Sequence, residues 1–238
     1  MRIQAVFFDV GETLVSEARQ WGAWADWLRV PRFTFSAALG AVIARGEHHR
    51  RVFELLQPGF DLERARRERR ALGEPDGFDA RDLYPDVAPC FAALRARGYR
   101  VGVAGNQPAD AERALGALGL DVDVVASSAR WGVEKPDRGF FERVALAAGV
   151  PAPAVVYVGD RLDNDVLPAL DAGMVGVFLR RGPWGHIHAT RDEVRRAHVR
   201  LDTLAELPDA LERLDRERRQ MERDTRKAAA TFFAKDSE

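Results

Sequence analysis

The sequence predicts an α/β fold: a parallel sheet interrupted near its start by an all-helical segment. Three observations carry this. Outside residues 15–82, short apolar runs alternate with helical patterns, as expected of parallel strands covered by helices on both faces. Several of those runs stop at Gly, Asp or Asn, residue types that suit the loops beyond strand ends. Residues 15–82 break the alternation, being rich in Ala, Arg, Glu, Leu and Trp and holding no convincing strand.

The elements follow in order. Ile3-Gln4-Ala5-Val6-Phe7-Phe8 is an apolar run ending in Asp9-Val10-Gly11, read as a buried strand that opens into a loop. Trp21, Trp24, Trp27 and Leu28 then recur at helical spacing, and residues 64–72 form a second, charged helix. The Trp stripe is read as the core of a helix bundle. Further strands are expected at 99–104, 122–126, 154–158 and 175–179, with helices at 87–97, 110–118, 139–148 and 163–172. Residues 199–204 are expected to add an edge strand and 208–214 a closing helix. The mixed-charge run 213–227 reads as a solvated helix with i,i+4 pairs, and Phe232-Phe233 is expected to tack its end down. The organisation is thus a Rossmann-like core domain over residues 1–14 and 83–238, with an inserted helical cap domain over 15–82.

Composition narrows the function. A chain of 238 residues with 46% hydrophobic content can bury a core. Its net charge of −1 gives no pull toward nucleic acid or an anionic membrane. The single cysteine, Cys90, excludes an internal disulfide and fits a reducing compartment. The run 3–8 is too short for a signal-peptide core, and no later run is long enough to span a bilayer, so a cytoplasmic setting is expected. Lysine occurs only at 135, 227 and 235, against 33 arginines, which makes an isolated Lys135 informative.

The chemistry concentrates at strand ends. In open parallel sheets, ligands bind beyond the carboxyl ends of the strands. Three expected strands end in polar groups there: Asp9, Gly105-Asn106 and Gly159-Asp160. Acidic groups ending two strands of one sheet repel each other unless a cation sits between them. A compact ammonium such as Lys135 can fit between a carboxylate and a phosphoryl oxygen, where a guanidinium fork is too broad.

Four segments in order resemble the motifs of the haloacid dehalogenase-like superfamily: Phe7-Phe8-Asp9-Val10-Gly11-Glu12-Thr13-Leu14, Gly102-Val103-Ala104-Gly105-Asn106, Val133-Glu134-Lys135-Pro136-Asp137 and Val158-Gly159-Asp160-Arg161-Leu162-Asp163-Asn164-Asp165. The helical insertion after the first motif, with a return near Leu83-Tyr84-Pro85, is similar to the family's helical-cap branch. The resemblance implies Asp9 as a nucleophile that forms an aspartyl-phosphate, and Mg²⁺ held by Asp9, Asp160, Asp165 and the backbone carbonyl of Gly11. Lys135, Gly105 and Asn106 would bind the phosphoryl group of a small phosphorylated substrate. Asp165 ranks above Asp163 as a ligand because it matches the family's spacing.

Two positions depart from the phosphatase pattern. A second Asp, the usual general acid, is replaced by Gly11, and a hydroxyl residue by Gly105. Loss of a positioned acid is worth about 10²–10⁴ in rate. The expectation is turnover of aryl phosphates with little on sugar phosphates, and a rise on alkyl esters in Gly11→Asp. Glu12 is expected to point away if the strand pleat continues. His48-His49 lie in the expected cap and could face the site, and His186-x-His188 lies in a Gly-Pro-Trp-Gly loop, but exposed loop histidines are common and both pairs are read as surface groups. The competing function is a non-catalytic relative that binds a phosphorylated ligand or a partner protein. A 2-haloacid dehalogenase is disfavoured by Gly159-Asp160, and a Schiff-base phosphonate cleaver by the absence of Lys from residues 15–82.

Overall fold

The alternation becomes one six-stranded, all-parallel sheet: β1 (Ala5–Phe8), β2 (Arg100–Gly105), β3 (Val124–Ser127), β4 (Val155–Gly159), β5 (Val175–Leu179) and β6 (Val199–Leu201), in the order β3-β2-β1-β4-β5-β6. A computed structural model describes residues 2–74 and 76–235, with side chains described through residue 226. Helices α1 (Ala18–Trp27), α2 (Arg32–Ala44), α3 (Arg51–Leu56) and α4 (Leu62–Ala71) interrupt the sheet between β1 and β2. Helices α5 (Val87–Ala96), α6 (Ala111–Ala117), α7 (Ser128–Trp131), α8 (Arg138–Ala148), α9 (Leu167–Asp171), α10 (Gly182–His188) and α11 (Leu207–Lys235) belong to the sheet.

The period of two along each strand divides the core. Val6, Phe8, Val156 and Val158 face Phe91 of α5 and Leu211 of α11, while Ala5, Phe7, Val155 and Tyr157 face Phe140 and Phe141 of α8. A third cluster lies in the insertion. Trp24 is buried there with Phe35, Val42, Ile43 and Phe53, and Trp21, Trp27 and Leu28 pack around it, the bundle core expected of the stripe. Trp184 of α10 joins that cluster from the sheet side and ties the insertion down. β2 and β3 lie to one side of β1, and β4 to β6 to the other. The order reverses between β1 and β4, where such sheets open a crevice.

Several elements differ from expectation. Residues 182–188, read as a loop, form α10, because Pro183 lies in the first helical turn, where its missing N–H deprives the helix of nothing. The helix expected over 163–172 starts as a π-helical turn, Leu162–Val166, before α9. The closing helix and the charged run are one helix, α11, of 29 residues. Its first turns are buried through Leu207 and Leu211, and Asp215 accepts a hydrogen bond from the Ile3 N–H at 3.0 Å. Arg216 pairs with Glu212 at 3.8 Å further along. The expected anchor at Phe232-Phe233 falls on side chains outside the described residues. Among the described residues no helix is long and apolar enough to cross a membrane.

Candidate active site

Two strand ends build the site. The Asp9 N–H donates to the Val158 carbonyl at 2.9 Å, extending the β1–β4 pairing by one step. β4 ends at Gly159, so Asp160 emerges beside Asp9. The π-helical turn folds Asp165 back against Gly159, where an added Cβ would stand 2.3 Å from Asp165 Oδ2. Only a residue without a side chain permits that approach. Carboxylate oxygens of Asp9, Asp160 and Asp165 lie within 4.8 Å of one another, and all three residues are buried.

Lys135 reaches the cluster from the loop before α8. Its Nζ is 2.6 Å from Asp9 Oδ1 and 2.6 Å from Asp165 Oδ1. Asn106 sets its position: the side-chain amide donates to the Lys135 carbonyl and accepts from the Lys135 N–H, both at 2.8 Å. Burial opposes the ammonium charge, but Asp165 and Asp9 more than offset it and hold the pKa well above its ordinary value. One cation does not balance three carboxylates. Burial, with Asp165 and Asp9 alongside, pushes Asp160 well up, and burial lifts Asp165 to about 6 against the pull of Lys135. Asp160 Oδ2 is buried without a hydrogen-bond partner. An orphaned oxygen beside two further carboxylates suits a hard divalent cation, which Asp9, Asp160 and Asp165 could hold.

The fold therefore brings Asp9, Lys135, Asp160 and Asp165 together. Gly105 adjoins them, and a Cβ there would meet Asp9 Oδ1 at 2.7 Å, so glycine leaves room for Asp9. The Asn106 amide is committed to placing Lys135 rather than presented to a ligand. Gly11 lies in the turn after Asp9, next to Glu12, which has a left-handed φ of 50°. The strand pleat does not continue through Glu12, whose carboxylate is engaged by other groups. Its Oε2 accepts from the Tyr84 hydroxyl at 2.6 Å and its Oε1 from the Glu17 N–H at 2.8 Å. Asp163 stays out of the cluster, paired with Arg161 at 2.9 Å.

Sequence reasoning missed Glu17 and Arg161. Glu17 follows the first motif by a few residues, and its Oε1 stands 2.5 Å from where a Cβ on Gly11 would be. Burial, with Glu12 beside it, pushes the Glu17 carboxyl up to about 7. The available clue was an acidic residue shortly after a motif whose usual acid is absent. Arg161 donates its backbone N–H to Asp165 Oδ2 at 3.0 Å and lays its guanidinium 5.3 Å from the Trp184 ring. His48 and His186 are exposed, as expected of surface groups, whereas His49 is half-buried and His188 buried. His49 lies 5.8 Å from each of the Trp21 and Trp184 rings, and burial pushes it down to about 3. Buried His188 accepts from the Leu162 N–H at 3.1 Å and is pushed down to about 4, again by burial.

Residues 3–173 match the haloacid dehalogenase-like hydrolase family. The chain is 37% identical over 133 residues to a glyceraldehyde 3-phosphate phosphatase of Methanopyrus kandleri, covering 52% of this chain and 57% of that one. It is 35% identical over 112 residues to a phosphoglycolate phosphatase of Rhodospirillum rubrum, covering 45% of this chain and 46% of that one. The chain thus spans about half the length of these curated relatives. The crystal structure of an HAD phosphatase from Thermococcus onnurineus superposes with a TM-score of 0.57 at 23% identity, covering 88% of this chain and 98% of that one, a likeness of fold.

Proposed function

The chain belongs to the haloacid dehalogenase-like hydrolases, and from that premise we propose that it is a Mg²⁺-dependent phosphatase of small phosphorylated metabolites, working through an aspartyl-phosphate on Asp9. The observation that carries this reading is Lys135, bonded to both Asp9 and Asp165 beside the orphaned oxygen of Asp160. Such an arrangement would fix the direction of the Asp9 carboxylate, as a nucleophile requires. Lys135 would meet a phosphoryl oxygen as well as Asp9, and backbone N–H groups at Gly105 and Asn106 would offer further donors. Mg²⁺, held by Asp9, Asp160, Asp165 and the Gly11 carbonyl, would supply charge neutralisation for the phosphoryl oxygens. Residues 15–82 would serve as a cap that excludes water, seated on the core through Trp184. The free, buried thiol of Cys90 suits a cytoplasmic setting.

Initial rates on p-nitrophenyl phosphate and on an alkyl phosphate, with Mg²⁺ and with chelator, test this reading. Turnover should require Mg²⁺ and fall to background in Asp9→Asn. Calorimetry should show Mg²⁺ binding that weakens greatly in Asp160→Asn. A folded protein that binds Mg²⁺ and hydrolyses no phosphate ester would instead be a non-catalytic binder of phosphorylated ligands.

A further inference from the structure

We propose that Glu17, the residue that leads into α1, supplies the proton transfers that a carboxyl at position 11 would otherwise supply. The inference rests on the phosphatase reading above and concerns only how its leaving group departs and how water is activated. The missing acid at Gly11 leaves a gap in the chemistry, and the fold fills the corresponding space. A Cβ on Gly11 would lie 2.5 Å from Glu17 Oε1 and 3.0 Å from Glu17 Cδ. Ordinary bond lengths put an aspartate's own carboxyl oxygens about 2.4 Å from its Cβ. Glu17 Oε1 therefore sits at the radius an Asp oxygen at position 11 would occupy, reached from the helical side instead of from the loop.

The side chain is held there. Trp21 Nε1–H donates to Oε2 at 3.0 Å, and Glu12 Oε1 accepts the Glu17 N–H at 2.8 Å. Among the described residues Oε1 has no hydrogen-bond partner, so the oxygen beside Gly11 is the one left to act. Glu12 cannot do so itself, since the Tyr84 hydroxyl and the Glu17 N–H occupy its two oxygens. Glu12 is the positioning residue and Glu17 the catalytic one.

The steps balance. Asp9 forms a bond to phosphorus as the ester P–O bond breaks, and the leaving oxygen takes the proton of the Glu17 carboxyl. Water then bonds to phosphorus as the bond from phosphorus to Asp9 breaks. Glu17 takes one proton from that water and is restored, giving an alcohol and inorganic phosphate. On this proposal Gly11→Asp alone should not raise turnover of alkyl esters, because with Glu17 present the new side chain enters occupied space.

The test compares wild type, Glu17→Gln, Glu17→Ala and Glu17→Ala with Gly11→Asp, on glycerol phosphate and p-nitrophenyl phosphate, with melting temperatures recorded for each. Glu17→Gln should lower kcat on the alkyl ester about 10²–10⁴-fold, with a far smaller loss on the aryl ester. Acid-quenched mass spectrometry should find the Asp9 phosphoenzyme accumulating in Glu17→Gln, because its hydrolysis has lost the base. Adding Gly11→Asp to Glu17→Ala should recover alkyl-ester turnover at least tenfold. Equal losses on both esters, or no loss, would overturn the proposal while leaving the phosphatase reading intact. Wild type inactive on every ester would end both. The double variant, which restores the carboxyl from position 11, keeps the test decisive should Glu17→Gln fold poorly.

Discussion

Gly159 and Gly11 each make room for a carboxylate, and the two carboxylates are fixed in opposite ways. An added Cβ would fall 2.3 Å from Asp165 Oδ2 in the first case and 2.5 Å from Glu17 Oε1 in the second. Asp165 cannot yield: it is fully buried, with one oxygen on Lys135 and the other on the Arg161 N–H. Glu17 is the end of a flexible side chain, tethered by Trp21 one helical turn further on. The sheet and the segments that follow its strands assemble the strand-end cluster, whereas the segment leading into α1 brings in Glu17. The half of the site that holds charge is thus rigid, and the half beside it depends on how the insertion seats.

The largest effect should come from the rigid half. Lys135→Met removes the one cation bonded to both Asp9 and Asp165 among the described residues and leaves buried carboxylates facing each other. Removing one partner from a buried ionic group costs about 3–5 kcal/mol. In a chain of this size that is a fall of roughly 6–20 °C in melting temperature. Calorimetry in chelator should show it, and Mg²⁺ should recover part of it by replacing the lost positive charge. A fall below about 2 °C in chelator would mean that solvent already screens the cluster, contrary to its burial.

Substitution at the two glycines tests the contrast directly. Gly159→Ala forces its methyl group into an immobile Asp165, at about 1–3 kcal/mol for an overpacked site. Mg²⁺ affinity should drop at least tenfold because a ligand is displaced. Gly11→Ala meets only the movable end of Glu17, so its melting temperature should stay within about 2–4 °C of wild type and Mg²⁺ affinity should be retained. Equal losses in the two variants would show that Glu17 is as rigidly packed as Asp165.

This contrast also explains what was legible in the sequence. Asp9 and Asp160 each follow an apolar strand directly, and Lys135 stands out in an arginine-rich chain, so local reading suffices for them. The sheet follows from the same alternation, and its edges move by a residue or two where loop backbone takes over the pairing. Glu17 was hidden because its role exists only where the turn after β1 meets α1, a meeting that no local pattern records. α10 was hidden because Gly182-Pro183-Trp184-Gly185 has the composition of a loop, while Trp184 earns its helix by burial against the insertion. Asn106 lies at the expected place, and its side-chain amide also braces the Lys135 backbone, a contact no local pattern records.

The smallest expected effect lies at the seam between the insertion and the sheet. His49 lies between Trp21 and Trp184, and burial pushes its pKa down to about 3. Its neighbour His48 and the guanidinium groups of Arg161, Arg50 and Arg66 act in the same direction. An unfolded histidine titrates near ~6.5. The folded value is depressed, so its contribution to stability is complete above that pH and declines as pH falls toward 3. Between roughly pH 7.5 and 5.5 the unfolded state takes up most of one proton that the folded state refuses, a loss of about 1 kcal/mol. His188, pushed down to about 4, adds a similar loss that substitution at position 49 does not touch. His49→Gln should therefore lose about 2–4 °C less than wild type over that pH interval, read as melting temperature at constant ionic strength. Identical losses in the two proteins would show that His49 takes up its proton without unfolding, and hence that the insertion lifts from Trp184 in solution rather than sealing the seam.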